Sequence, residues 1–195
     1  MIRAVIFDLG GVVYKWPGLD RRWAQQLGVS PDEFVRALYA GNDEGPLVGA
    51  MTAEQWWAGV GERLGIDRAI ADRLRRDFVG ATRLVAPMVE FIRGLRATHR
   101  TAFLSNAWSD TRPRLQRDGI EAAVDAVILS CEVGVAKPDP GIYQVALERL
   151  GVVATAAAFV DDAEVNVEAA RALGMEGIVC RSASQAIAEV RALVG

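Results

Sequence analysis

Short apolar segments alternate with amphipathic segments over most of this 195-residue chain, and that alternation limits the fold more than any other feature. Apolar runs predict strands at residues 3–9, 101–105, 126–130, 157–161 and 177–180. Apolar positions three or four residues apart predict helices at residues 87–98, 110–117, 141–150, 165–173 and 184–193. Strands that alternate with helices are typical of a parallel sheet covered by helices, so the sequence predicts an α/β fold.

The alternation stops between residues 14 and 84. Helical spacing continues there without an intervening strand, at residues 19–27, 31–39, 53–64 and 67–79. Ser30 before Pro31 predicts a helix start, and Thr52 with Gln55 fits a capping box. We therefore predict an all-helical domain, residues 15–84, inserted into a sheet domain formed by residues 1–14 and 85–195.

The helical segment holds four of the five tryptophans, namely Trp16, Trp23, Trp56 and Trp57. One interpretation is that all four pack the small helical domain. The alternative is that one or two of them, above all Trp16, line a substrate pocket between the domains.

Charge and composition exclude several classes of function. The net charge is −3 without a basic stripe, which argues against a nucleic-acid or anionic-membrane partner. No apolar run reaches the ~18–20 residues of a membrane span, and no secretory leader begins the sequence, so we expect a soluble, cytoplasmic protein.

Cys131 and Cys180 lack the spacing of a zinc or redox site and are predicted to be buried free thiols. His99 is the one histidine, so carboxylates, hydroxyls and a lysine must carry any catalysis. The oligomeric state stays open.

Three predicted strands end in polar residues, at Asp8, Ser105 and Asp161. Ligands of open α/β sheets bind beyond the carboxyl ends of the strands, so these residues are expected to converge. Asp8 is followed by Gly10 and Gly11, which allow a tight turn whose amides can face an anion. A carboxylate there can attack phosphorus when a divalent cation neutralises charge, although a plain strand-to-helix turn would also explain the pattern.

Further polar motifs follow the later strands. Ser105 and Asn106 offer a hydroxyl and an amide to phosphate oxygens, or an N-cap to the next helix. Lys137, one of two lysines among 22 basic residues, lies in a proline-stiffened turn where it can screen negative charge. Asp161 and Asp162 are hard oxygen ligands of the kind that Mg²⁺ takes, and Asp162 can also cap the next helix.

In this order and spacing, the four motifs resemble those of the haloacid dehalogenase-like (HAD) hydrolase superfamily over the whole chain. The resemblance implies a Rossmann-like core with a helical cap inserted after the first motif. It implies Asp8 as nucleophile, with Ser105, Asn106, Lys137 and Gly11 as the groups that contact the substrate phosphate. It also implies magnesium as cofactor, held by Asp8, Asp161, Asp162 and the carbonyl of Gly10.

Gly10 departs from the pattern, because phosphatases of this superfamily usually have an aspartate there as general acid and base, although some members similar to this chain, including sugar-phosphate phosphatases, also have glycine. We predict a magnesium-dependent phosphatase that acts on a small phosphorylated metabolite through an aspartyl-phosphate on Asp8. Without that acid, readily departing leaving groups are favoured, as in anomeric sugar phosphates, aryl phosphates and acyl phosphates. The alternatives are a 2-haloacid dehalogenase, which needs no metal, and a non-catalytic binding or regulatory protein.

Overall fold

The computed structural model describes residues 1–16, 18–40 and 45–195. Five parallel strands form the central sheet: β1 (Ala4–Phe7), β4 (Arg100–Ser105), β5 (Ala126–Leu129), β6 (Ala157–Asp161) and β7 (Glu176–Val179). Their spatial order is β5-β4-β1-β6-β7. The chain thus builds one half of the sheet outward from β1 and then crosses to β6 on its other side. The predicted α/β fold with a parallel sheet is confirmed.

Both faces of this sheet are buried by helices. Val5 and Phe7 of β1 pack in a hydrophobic cluster with α5 (Ala86–Leu95) and α10 (Ala183–Val194). Ala4 and Ile6, which point to the other face, pack in a second cluster with α8 (Pro140–Leu150) and α9 (Glu164–Ala172). Alternate side chains point to opposite faces of a strand, and burial of both faces explains why β1 is apolar throughout.

The helical insertion has a hydrophobic cluster of its own. The insertion consists of four helices, namely α1 (Leu19–Leu27), α2 (Pro31–Tyr39), α3 (Ala53–Leu64) and α4 (Arg68–Ala81). Trp23, Trp56 and Trp57 are buried in this cluster, in agreement with the packing interpretation for these three residues. The capping boxes of α2 and α3 form as the sequence predicts, because Ser30 and Thr52 accept hydrogen bonds from the amides of Glu33 and Gln55.

Two short strands that the sequence did not predict flank the four helices of the insertion. β2 (Tyr14–Lys15) and β3 (Arg83–Leu84) pair antiparallel where the chain enters and leaves the insertion. Strands of two residues carry no periodic pattern, and their pairing depends on the two connections lying side by side. The division into domains of residues 1–14 with 85–195 and 15–84 stays a prediction.

Most other predicted elements lie within one to three residues of the observed bounds. The remaining helices are α6 (Thr111–Arg117) and the single turn α7 (Ser130–Val133), and short 3-10 turns cover Pro46–Val48, Glu121–Ala123 and Ala154–Ala156. Cys180 is a buried free thiol as predicted, whereas Cys131 is only partly buried, since it follows β5 on the single turn α7. Among the described residues, no helix has the length and apolar character that a membrane crossing needs.

Candidate active site

The predicted catalytic residues lie at the carboxyl edge of the sheet, where the strand order reverses. Asp8 directly follows β1, and Asp161 ends the neighbouring strand β6. The amide of Asp8 donates to the carbonyl of Val160 at 2.8 Å, which fixes the two strand ends side by side. Ser105 ends β4, on the other side of β1. This edge is the usual ligand crevice of an open α/β sheet.

Lys137 joins two of the strand ends through buried ion pairs. Its Nζ lies 2.8 Å from Asp8 Oδ1 and 2.6 Å from Asp161 Oδ2, and its side chain is 1% exposed. The backbone of Lys137 is held by Asn106, whose Oδ1 accepts from the Lys137 amide at 2.7 Å and whose Nδ2 donates to the Lys137 carbonyl at 2.9 Å. We refer to these two bonds as the Asn106 clamp.

Asp161 is bound on several sides within the protein. Besides Lys137, its Oδ2 accepts from Asn166 Nδ2 at 3.1 Å, and its Oδ1 accepts from the amide of Ala163 at 2.8 Å. Ala163, not Asp162, is the N-cap residue of α9, so the suggested capping role of Asp162 is wrong. The Asp162 carboxylate is exposed, and its own backbone amide donates to it.

The buried charged groups of the site change one another's pKa values. Burial raises the pKa of Asp8 to about 6; the nearby Lys137 opposes this rise, and the Asp161 carboxylate adds to it. Burial also works against the charged form of Lys137, but Asp8 and Asp161 outweigh it, so the pKa of Lys137 is raised. At neutral pH Asp8 is therefore a carboxylate and Lys137 an ammonium.

The donor set suits a hard divalent cation. Asp8, Asp161 and Asp162 each offer a carboxylate oxygen, and these oxygens lie within 4.8 Å of one another. The three carboxylates outnumber the ammonium groups near them, since Lys137 pairs with Asp8 and Asp161 and Lys15 acts on Asp162, and a divalent cation would balance the remaining negative charge. Among the described residues, no donor is aligned for a hydrogen bond to the buried Asp8 Oδ1, although Lys137 Nζ is close. Oxygen ligands without sulfur or imidazole are typical of magnesium sites.

The glycines after Asp8 adapt the loop to its neighbours. Gly11 has a φ of 69°, and a Cβ atom there would lie 1.9 Å from Asp162 Oδ2, so a side chain is excluded by backbone conformation and by space. Gly10 lies in an ordinary backbone region. A Cβ atom on Gly10 would be 3.5 Å from Trp16 Cη2 and 3.7 Å from Asp8 Oδ2, which are ordinary contact distances.

A cavity of about 330 Å³ opens beside this cluster, between the helical insertion and the sheet. Gly10, Ser105 and Asn106 form its border with the carboxylates, and Trp16 lines it, as do Trp57 and Phe78. Ser105 is 5% exposed, and its hydroxyl makes a long contact of 3.4 Å to the Asn106 carbonyl, with no shorter hydrogen bond to the residues that the structure describes. The hydroxyl can therefore turn toward a ligand in the cavity.

The structure thus brings together most residues that the sequence singles out. Asp8, Lys137, Asp161 and Asp162 form one cluster, with Ser105 at the edge of the adjoining cavity. The side chain of Asn106 is engaged with Lys137, so its phosphate contact stays a prediction, as do those of Gly11 and the Gly10 carbonyl. Sequence reasoning missed Tyr143, whose hydroxyl donates to the Asn166 carbonyl at 2.8 Å beneath the site. The helical spacing of α8 marks Tyr143 as a core residue but does not indicate this contact.

Comparison with known proteins gives a consistent result. Residues 2–174 match the family described as haloacid dehalogenase-like hydrolase. Acyl-CoA dehydrogenase family member 10 of Mus musculus is 32% identical over 207 residues, which cover 99% of this chain but only 19% of that protein. The chain therefore spans about a fifth of this relative's length. The sesquiterpene phosphatase astK of Aspergillus oryzae is 26% identical, and the match covers 99% of this chain and 97% of that protein.

Two solved structures share the fold. A HAD family enzyme of Bacteroides thetaiotaomicron, in complex with magnesium and inorganic phosphate, has a TM-score of 0.73 at 20% identity, with 90% of this chain and 92% of that chain covered. The L-2-haloacid dehalogenase of Xanthobacter autotrophicus has a TM-score of 0.67 at 20% identity, with 90% and 76% covered. Phosphate chemistry and halide chemistry thus both occur on this fold, and the residues of the site must distinguish them.

Proposed function

The chain belongs to the haloacid dehalogenase-like hydrolase family, and we propose that it is a magnesium-dependent phosphatase of a small phosphorylated metabolite. The observation that carries the proposal is the cluster of Asp8, Asp161 and Asp162 around Lys137. Displacement of halide from carbon requires no cation, so it does not explain three carboxylates whose oxygens lie within 4.8 Å of one another. A phosphatase needs both a nucleophile and a cation site.

In the proposed reaction, an oxygen of Asp8 attacks phosphorus. The bond from phosphorus to the leaving oxygen breaks, the electron pair stays with that oxygen, and an aspartyl-phosphate forms on Asp8. Lys137 offsets charge on Asp8 and on the transferred phosphoryl group, and Ser105 donates a hydrogen bond to a phosphate oxygen. Water then cleaves the aspartyl-phosphate and releases inorganic phosphate.

Asp8, Asp162 and the carbonyl of Gly10 are the groups we propose to hold magnesium. When bound, the ion would neutralise negative charge shared by the nucleophile and the phosphate. Asp161 is a weaker candidate as direct ligand, because its oxygens already accept three hydrogen bonds. Its main contribution is to hold the Lys137 ammonium in place.

The substrate's leaving group must depart without help from residue 10, because glycine cannot donate a proton. General acid catalysis contributes roughly 10²–10⁴-fold where the leaving group needs a proton. Phosphorylated metabolites with stable leaving groups, including anomeric sugar phosphates, are therefore favoured. The phosphatase name of the Aspergillus relative supports the reaction class. The cytoplasmic location stays a prediction.

The test is hydrolysis of p-nitrophenyl phosphate and of a panel of phosphorylated metabolites, with magnesium and with EDTA. We expect activity that requires magnesium and falls at least about 10³-fold in Asp8→Asn, which removes the nucleophile at constant shape. Asp32→Asn, at an exposed position of α2, is the control and is expected to keep activity. Turnover that survives in Asp8→Asn would refute the mechanism. Halide release from a chloroacid in EDTA would instead identify a dehalogenase, and tight phosphate binding without any turnover would identify a binding protein.

A further inference from the structure

The cavity next to the catalytic cluster is lined by aromatic rings. Four of them contact one another and form what we call the aromatic wall, which consists of Trp16, Trp57, Phe78 and Trp108. The rings of Trp16 and Phe78 stack with centroids 5.7 Å apart and an interplanar angle of 28°. Trp57 meets Phe78 and Trp108 edge to face, at 5.5 and 5.6 Å. Such mutual packing fixes the ring orientations before any ligand arrives.

The aromatic wall begins at the reacting group. The position of a Cβ atom on Gly10 lies within 3.7 Å of both Trp16 Cη2 and Asp8 Oδ2. A phosphate attacked by Asp8 and contacted by Ser105 therefore has its leaving group directed to a space that Trp16 borders. Trp16, Phe78 and Trp108 are only partly buried, so ring surface remains for a ligand in the cavity.

The cavity also has polar lining. It comes from Ser105 and Asn106, from Asp110, Thr111 and Arg114 around the start of α6, and from the tyrosines Tyr14 and Tyr39. Arg114 already places its guanidinium over the Tyr14 ring, 5.1 Å from the ring centre. Leu9, Leu47 and Val79 add further apolar surface. An alcohol with hydroxyls on every side would leave those that face the aromatic wall without partners, whereas a planar apolar ring would not.

We propose that the cavity binds the organic part of an aryl phosphate, so that the leaving group is a planar aromatic alcohol seated against the aromatic wall. This inference rests on the proposed phosphatase function and selects one of the leaving-group classes that Gly10 favours. Two independent features support an aryl phosphate. Gly10 provides no general acid, and a phenolate departs without one; the aromatic wall is apolar, and a phenol ring fits such a surface. A volume of about 330 Å³ lies at the small end for ligand cavities, which suits a one-ring or two-ring alcohol.

The kinetic test compares 2-naphthyl phosphate, a hexose 1-phosphate and acetyl phosphate in the presence of magnesium. Acetyl phosphate reports the core chemistry, because it has a good leaving group and no ring. We expect kcat/KM for the naphthyl ester to exceed that for the sugar ester by about tenfold or more, and we expect Trp16→Leu to lower the naphthyl-to-acetyl ratio roughly tenfold. Trp23→Phe, within the cluster of the insertion, is the matched control and leaves the ratio unchanged. A preference for the sugar ester, or a ratio indifferent to Trp16→Leu, would overturn the proposal.

Binding of phenylphosphonate and cyclohexylphosphonate separates this inference from the proposed function. These probes have similar size and are not hydrolysed, and calorimetry gives their dissociation constants. Tighter binding of the planar probe, lost in Trp16→Leu but kept in Trp23→Phe, supports the aryl site. Equal binding of both probes overturns it. Failure to turn over acetyl phosphate refutes the phosphatase function, and the phosphonate result still judges the cavity.

Discussion

Gly10 is the residue at which this site differs most from the phosphatase pattern that its motifs resemble. The neighbouring Gly11 must be glycine, because its φ is positive and Asp162 leaves no room for a Cβ atom. Gly10 is under neither constraint, since its nearest neighbours allow a Cβ atom at 3.5 Å or more. The absence of an acid at residue 10 is therefore a chemical property of this site and is not imposed by the backbone.

The variant Gly10→Asp tests this view. We expect the added carboxyl group to protonate poor leaving groups, so that kcat/KM for an alkyl phosphate rises at least about tenfold relative to that for an aryl phosphate. Steady-state kinetics with ethyl phosphate and phenyl phosphate measure this ratio. Gly10→Asn has the same shape without the acid and is expected to show no such gain. An equal response of the two variants would mean that general acid catalysis is not what residue 10 limits.

The elements of the site show which features the sequence could predict. Strands β1, β4 and β6 each end at or next to a polar residue that local pattern reveals, and parallel strands must bring those ends to one edge. The Asn106 clamp joins residues 31 positions apart, and the two-residue strands β2 and β3 pair across the whole insertion. Local periodicity carries no information about such contacts. The sequence offered a pocket between the domains lined by Trp16, and Trp16 does line the cavity, but most of the other lining residues depend on how the insertion packs over the sheet edge.

One pair of elements gives a prediction for pH. Asp125, which precedes β5, accepts hydrogen bonds from the Thr101 amide of β4 at 2.8 Å and from Arg96 Nε after α5 at 2.9 Å. Burial acts to raise the pKa of Asp125, but these donors outweigh it and lower the pKa below its usual value. A carboxyl group with a lowered folded-state pKa stabilises the fold above its unfolded pKa of about 4, and this stabilisation is lost as pH falls through the folded value.

Asp125→Asn is therefore expected to lower Tm at pH 7 and to have a smaller effect below about pH 4, where the stabilisation by the wild-type carboxylate declines as pH falls toward its lowered folded-state pKa. Thermal unfolding followed by circular dichroism at several pH values measures the difference. Asp72→Asn, at an exposed position of α4, serves as the control for loss of one negative charge. A destabilisation by Asp125→Asn that stays constant down to pH 3 would contradict the assigned role.

At the scale of the whole molecule, the sheet and the insertion contribute different parts of the site. The sheet holds the charged groups, since Asp8, Lys137 and Asp161 meet at its carboxyl edge and each is buried. The insertion supplies most of the aromatic wall, and Trp108 of the sheet domain packs against its rings. Under the proposed function, the sheet carries the reaction chemistry and the insertion selects the leaving group, and the two parts meet at Gly10 and Trp16.

Because Lys137 joins the ends of β1 and β6 through the charged cluster, metal binding there should change the stability of the whole molecule. Close carboxylates repel one another in the folded state, and a divalent cation that binds only the folded protein stabilises it by about 2.7 kcal/mol at a concentration a hundredfold above its dissociation constant. For a chain of this size, such a gain raises Tm by roughly 5–10 °C. Calorimetry with magnesium and with EDTA measures the shift.

We expect Asp162→Asn to remove most of the magnesium-dependent rise in Tm, and Glu168→Gln, an exposed change on α9, to keep it. A magnesium shift that persists in Asp162→Asn would place the ion elsewhere, because Asp162 is the exposed carboxylate of the three, whereas Lys137 pairs directly with the other two.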